Sequence, residues 1–259
     1  MPSFATPAAP AATAAKPPSP LLLLLEGRAP WELGAFLAAT PFMDRLPQGD
    51  GHPVLVFPGL AANDLATAPL RHFLSERGYA PHRWNFGFNL GPRSGVLRGC
   101  VEHVRELHES TGRKLSLIGW SLGGLYAREV AKQVPDLVRG VITLGTPFTG
   151  EPKAGRAWRL YEWLTDSKVD DPELQARLRV APPVPTTSIY SKTDGVVAWQ
   201  TSRNPLGALL ENIEVHASHF GMGVNPAVLY AIADRLAQPE GAWRPFERSG
   251  VRKWFYREA

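Results

Sequence analysis

Several features that would define a chemistry at sight are scarce in this chain. It has one cysteine, Cys100, so no intramolecular disulfide can staple the fold. Cys100 falls in a stretch of helical spacing with no special surroundings and reads as a buried structural thiol. There is no H-E-x-x-H run, no Cys/His ligand cluster and no dinucleotide fingerprint, so neither a metal nor a cofactor is expected. The 28 basic and 24 acidic side chains leave a net charge of only +4, too little to indicate a nucleic-acid partner. The apolar run Leu21–Leu25 is too short to span a bilayer. Lys16 follows fifteen uncharged residues, whereas a signal peptide places its basic residues first. Residues 1–20, almost entirely Ala, Pro, Ser and Thr, are expected to form a disordered leader, and a cytoplasmic location is the default expectation.

The remaining chain, residues 21–259, is long enough for one sizeable domain. From His52 onward, short apolar runs alternate with stretches of helical spacing. Strands are expected at Pro53–Phe57, His82–Phe86, Lys114–Gly119, Gly140–Gly145, Thr187–Tyr190 and Ile213–His216. Helices are expected at about Leu65–Arg77, Ser94–Ser110, Leu122–Val134 and Pro226–Leu236. This rhythm implies an α/β fold, with a mostly parallel sheet of about six strands and helices on both faces. Residues 147–185 break it: they carry no strand run and contain Trp158, Tyr161 and Trp163 at helical spacing. Residues 240–259 interleave arginines with Trp243, Phe246, Trp254, Phe255 and Tyr256. Such a tail packs its aromatics on the domain with its charges in water, or meets an anionic membrane surface.

The chemistry centres on Gly119-Trp120-Ser121-Leu122-Gly123-Gly124. An apolar strand ends at this motif and a helix begins after it, the context a nucleophile elbow requires. So abrupt a turn strains the serine backbone, and Gly119 and Gly123 lack the Cβ atoms that would collide across it. A nucleophilic serine also needs a base and a group that orients the base. His219 follows the last strand and can return to Ser121, and His216 is its nearest competitor at the strand's end. His103 and His108 lie in a helix, while His52 precedes the first strand, at the wrong end of the sheet. Asp194 follows the fifth strand, and Ser121, Asp194 and His219 then run in the order Ser, Asp, His. Asp166, Asp170 and Asp171 fall in the strandless region and read as surface charges. Two backbone N–H groups should hold the oxyanion, those of Leu122 after the nucleophile and Leu60 after Pro58-Gly59.

On these residues the chain resembles the α/β-hydrolase superfamily, and within it the small bacterial lipases and esterases. The resemblance is carried, over about residues 52–238, by His52–Leu60, Gly119–Gly124, Thr193–Val197 and Ser218–Met222, all in order. Many relatives have His-Gly where this chain has Pro58-Gly59, and His where it has Trp120; the latter departure is expected to change only packing beside the elbow. The resemblance implies a triad of Ser121, His219 and Asp194, with Leu60 and Leu122 as the oxyanion hole. It also implies that residues 147–185 form a small helical cap, whose Trp158, Tyr161 and Trp163 either line an apolar substrate pocket or bury themselves on the core. The expected reaction is hydrolysis of a small, hydrophobic carboxylic ester through an acyl-enzyme. A thioesterase or an acyltransferase would use the same triad, and an inactive binding module would have lost one of its members.

Overall fold

Val54, Leu55, Val56 and Phe57 offer no polar side chain to water, so a strand built from them needs cover on both faces. The computed structural model, which describes residues 15–149 and 172–257, provides it. All five residues of β1 (Pro53–Phe57) are buried. With β2 (Ala80–Arg83), β3 (Leu115–Trp120), β4 (Val138–Leu144), β5 (Thr186–Ser191) and β6 (Leu210–Val215) it forms one six-stranded sheet. Every neighbouring pair is parallel, in the order β2-β1-β3-β4-β5-β6.

The period of two along each strand divides the core into two layers. Val54, Val56, Ile118, Ile142 and Ile213 face helices α3 (Ala68–Glu76) and α7 (Pro226–Leu236). Leu55, Phe57, Leu117 and Val141 face α4 (Val96–Thr111) and α5 (Leu122–Gln133). The ends of these helices follow local chemistry. Pro226 starts α7, capped by Asn225, whose side chain accepts the Ala227 N–H at 3.0 Å. Gly112 ends α4 at φ 64°, a conformation glycine adopts without strain.

β2 ends at Arg83 rather than Phe86. Asp64 accepts the N–H groups of Trp84 (3.0 Å) and Asn85 (3.3 Å), and Asn85 turns to φ 66°, so the chain leaves the sheet there. Trp84 is instead buried against α4 and α5. β4 starts earlier than expected, at Val138, because a short 3-10 turn at Pro135–Leu137 feeds straight into it.

The segment before β1 is largely helical: α1 (Pro20–Leu24), a 3-10 turn at Leu25–Arg28, and α2 (Ala29–Ala39), which lies against α7. Of the leader expected over 1–20, residues 1–14 lie outside the described residues; in the rest, Ala15 packs on Ala198 and the Ser19 side chain caps α1. The three aromatics Trp158, Tyr161 and Trp163 also lie outside the described residues, and the chain resumes in α6 (Pro172–Arg179). At the C-terminus Phe246 and Tyr256 are buried, their rings 4.7 Å apart, while Trp254 and Phe255 stand exposed. Among the described residues no helix is long and apolar enough to cross a membrane.

Candidate active site

The strand order reverses between β1 and β3, and the carboxyl ends of parallel strands at such a point form a crevice. The elbow lies there. β3 passes into α5 through Ser121 alone, which holds φ 52° and ψ −122°. Few non-glycine residues adopt such a backbone, and its cost is about 1–3 kcal/mol. The neighbours explain how it persists. The Ser121 N–H donates to the Leu144 carbonyl at 2.8 Å. A Cβ on Gly119 would fall 2.3 Å from the Gly124 Cα, and one on Gly123 would fall 2.4 Å from the Phe57 carbonyl oxygen. Both contacts are with backbone, which cannot swing away. Gly123→Ala is therefore expected to destabilise the protein by about 1–3 kcal/mol, as overpacking with backbone movement does, and to be measurable as a lowered urea midpoint. An unchanged midpoint would contradict the tight elbow.

His219 and Asp194 meet above the ends of β5 and β6. The ring Nδ1 and Asp194 Oδ2 are 2.7 Å apart, and both residues are 3 % exposed. Asp194 Oδ1 accepts the N–H groups of Val196 (2.8 Å) and Val197 (2.7 Å), which fixes the carboxylate. Gly145, in the left-handed region at φ +54°, passes beneath the pair: a Cβ there would sit 3.1 Å from Asp194 Oδ2 and 3.2 Å from His219 Nδ1. Because Ser121 is bonded to Leu144, the residue before Gly145, the elbow and the pair share one end of the sheet. His216 is exposed and outside this cluster.

Burial opposes the charged imidazole, but the Asp194 carboxylate, by charge and by hydrogen bond, and the Glu26 charge together carry the His219 pKa above its ordinary value. The bond through Nδ1 leaves Nε2 as the basic nitrogen.

The loop after β1 closes over the elbow. The Cβ position of Gly59 is 3.4 Å from the Ser121 Cβ. Asn89, fully buried, donates its side-chain amide to the Pro58 carbonyl (2.8 Å) and exchanges backbone bonds with Ala61 and Ala62. The N–H groups of Leu60 and Leu122 donate to no acceptor among the described residues. Beside Leu122 lies a cavity of about 70 Å³, its lining mostly apolar (Leu97, Leu122, Leu125 and Tyr126 among others) but including Glu129 and Arg177. Among the described residues no group of three or more His, Cys, Asp or Glu side chains is arranged to hold a metal ion.

Three parts of this site were not apparent from sequence. Trp120, expected only to alter packing, donates its indole N–H to the His219 carbonyl at 3.0 Å. Asn89 holds the loop that carries Leu60. Glu26 and Glu32, from the helical segment before β1, bond the loops of Asp194 and His219. Nothing local marks Glu26 and Glu32, whose partners lie well over a hundred positions away.

A second Ser–His–Asp arrangement lies at the opposite end of the sheet. His52 Nδ1 is 2.5 Å from Asp50 Oδ1, and its Nε2 is 2.9 Å from Ser116 Oγ. Its electrostatics are those of a structural cluster. Asp50 is paired with Arg139 and Arg113 at 2.8 Å each, and burial lowers the His52 pKa. Ser116 sits inside β3 and not at the start of a helix, where N–H groups would receive an oxyanion.

A family model described as "Alpha/beta hydrolase family" matches residues 49–257. The chain is 33% identical over 109 residues to a triacylglycerol lipase of Pseudarthrobacter phenanthrenivorans, a match covering 38% of this chain and 34% of that protein. It is 30% identical over 112 residues to a pimeloyl-[acyl-carrier protein] methyl ester esterase of Shewanella woodyi, covering 42% of each. These matches span well under half the length of the curated relatives. Among solved structures, lipase B of Aspergillus fumigatus superposes with a TM-score of 0.59 at 16% identity, over 76% of this chain and 56% of that one. A Paleococcus ferrophilus monoacylglycerol lipase superposes with a TM-score of 0.53 at 17% identity, over 73% of this chain and 96% of that one.

Proposed function

The chain belongs to the alpha/beta hydrolase family, and on that premise we propose that it hydrolyses carboxylic esters by acyl transfer through Ser121. In this mechanism His219 Nε2 takes the Ser121 proton as Oγ attacks the ester carbonyl. Asp194 orients the imidazole through Nδ1 and stabilises its charged form. The tetrahedral oxyanion is received by the N–H groups of Leu60 and Leu122, at the start of α5, where the helix dipole also favours negative charge. His219 returns the proton to the leaving alcohol, and water cleaves the acyl-enzyme by the same route.

The observation that carries this reading is the combination at one end of the sheet: a strained serine at a helix start, two N–H groups free of acceptors among the described residues, and a buried His–Asp pair. That the relatives named above are ester hydrolases supports the substrate class. The mostly apolar lining of the cavity beside Leu122, which also includes the Glu129–Arg177 pair, favours a hydrophobic acyl or alcohol group.

A series of p-nitrophenyl esters from acetate to palmitate tests the reading. Hydrolysis is expected, and silence from folded protein across the series would count against it. Leu97→Trp fills the cavity. It is expected to lower kcat/KM for the longer acyl chains by about 10-fold relative to acetate, the scale of one methylene contact. Equal losses for all chain lengths would show that the cavity does not hold the acyl group.

A further inference from the structure

We propose that Glu26 is a positioning residue of the active site, its single carboxylate tying the loop that carries Asp194 to the loop that carries His219. The inference rests on the Asp194–His219 reading given above.

The geometry is specific. Glu26 is 4 % exposed. Its Oε1 accepts the N–H of Gly195 at 2.7 Å and the N–H of His219 at 2.9 Å, and its Oε2 accepts the N–H of Phe220 at 3.1 Å. The first donor directly follows the acid, the second is the base itself, and the third directly follows the base. Among the described residues no lysine or arginine forms an ion pair with Glu26, so backbone donors alone satisfy it. A buried carboxylate is costly unless fully hydrogen-bonded, and an apolar residue in its place would leave three N–H groups unmet, two of them in buried bonds.

The fit is close on both sides. A Cβ on Gly195 would lie 2.3 Å from the Leu22 carbonyl oxygen, so α1 rests directly on the acid loop. One turn on, the same segment repeats the device. Arg28 donates to the Thr193 carbonyl (2.9 Å) and hydroxyl (2.8 Å). Glu32 accepts the Ser218 N–H (2.7 Å) and hydroxyl (3.0 Å), and a Cβ on Gly221 would overlap its Oε2 at 1.6 Å. Arg28 and Glu32 are themselves paired at 3.3 Å. Both loops are thus held from one external segment, with Glu26 at the innermost position.

Position also gives Glu26 an electrostatic consequence. The charged groups facing His219 are Asp194, from the loop after β5, and Glu26, from the segment before β1. Its other close neighbours, Trp120, Gly145, Phe220 and Met222, are neutral, and Arg28 and Glu32 bind the adjoining Thr193 and Ser218. Both carboxylates favour the imidazolium, so the acidic limb of the rate profile is set in part by Glu26. Removing that charge must move the limb to lower pH.

The test compares pH profiles of kcat/KM for the wild type, Glu26→Gln and Glu26→Asp, each first titrated with a fluorophosphonate to count working Ser121. Gln keeps one oxygen for Gly195 and His219 but loses the charge and turns an NH₂ toward Phe220. For E26Q the acidic limb is expected to fall by about 0.5–1 pH unit, with kcat about 10-fold lower. E26D keeps the charge but draws the oxygens back by a methylene; its limb is expected to stay near that of the wild type while kcat falls. An E26Q profile superimposable on the wild type would overturn the proposal. If E26Q does not fold, E26D decides: full activity refutes the brace. A folded wild type that never reacts with the fluorophosphonate would instead defeat the triad reading, and the inference with it.

Discussion

Ser121→Ala is expected to leave a folded protein whose ester hydrolysis falls by about 10⁵-fold or more, since removing a nucleophile costs as much as removing the whole catalytic set. Nothing in the fold should fail with it. Ser121 is bonded through its backbone to Leu144, and alanine keeps that bond. What alanine cannot relieve is the backbone strain at φ 52°. Ser121→Gly can. The glycine variant should be equally inactive and yet more stable than the wild type by about 1 kcal/mol, read as a higher urea midpoint. Strain held at the proposed nucleophile, by surroundings that over-determine it, is what would separate a nucleophile elbow from an ordinary helix cap. If Ser121→Gly were less stable than Ser121→Ala, the elbow would not be strained in the way described.

Asp194→Asn should cost about 10⁴-fold in kcat with little change in fold. The reason lies in tautomers. Asp194 Oδ2 accepts from His219 Nδ1, so Nε2 carries the lone pair that, in the proposed mechanism, takes the serine proton. An asparagine that keeps its oxygen on the Val196 and Val197 N–H groups must turn its NH₂ toward Nδ1. The ring then puts its proton on Nε2 and cannot serve as the base. The same substitution removes the principal charge that raises the His219 pKa. The little activity that remains through the minor tautomer, with Nε2 free of its proton, should therefore persist to lower pH than that of the wild type. A loss under 10-fold would show that another group orients the histidine.

How much of this was legible in sequence depends on how local each signal was. β1, β3 and α7 could be read closely because an apolar run, a strand-to-helix glycine pattern and a proline at a helix start are written in consecutive residues. The order of Ser121, Asp194 and His219, each after its own strand, could be read once the strands were, and it favoured His219 over His216 before any distance was known. The end of β2 could not be read, since it depends on Asp64, a side chain far from the strand in sequence. Residues 21–39 carried the least interpretable pattern. Leu21, Leu24 and Trp31 remain exposed, so no regular apolar stripe marks the helices, and beside Phe36 the buried side chain is a glutamate. Its meaning comes only from partners beside Asp194 and His219. The cluster of Asp50, His52 and Ser116 teaches the converse. It reproduces triad contacts at 2.5 and 2.9 Å, yet its serine lies within β3, toward the amino end of the sheet and away from the helix start at Ser121.

That second cluster also makes the most direct measurement a discriminating one. Folded wild-type protein is treated with a fluorophosphonate, digested, and the modified peptide is located by mass spectrometry. A single adduct on the serine of Gly119-Trp120-Ser121-Leu122-Gly123 is predicted, and none on Ser116. An adduct on Ser116, or no adduct on a protein shown to be folded, would contradict the assignment of Ser121 as the nucleophile.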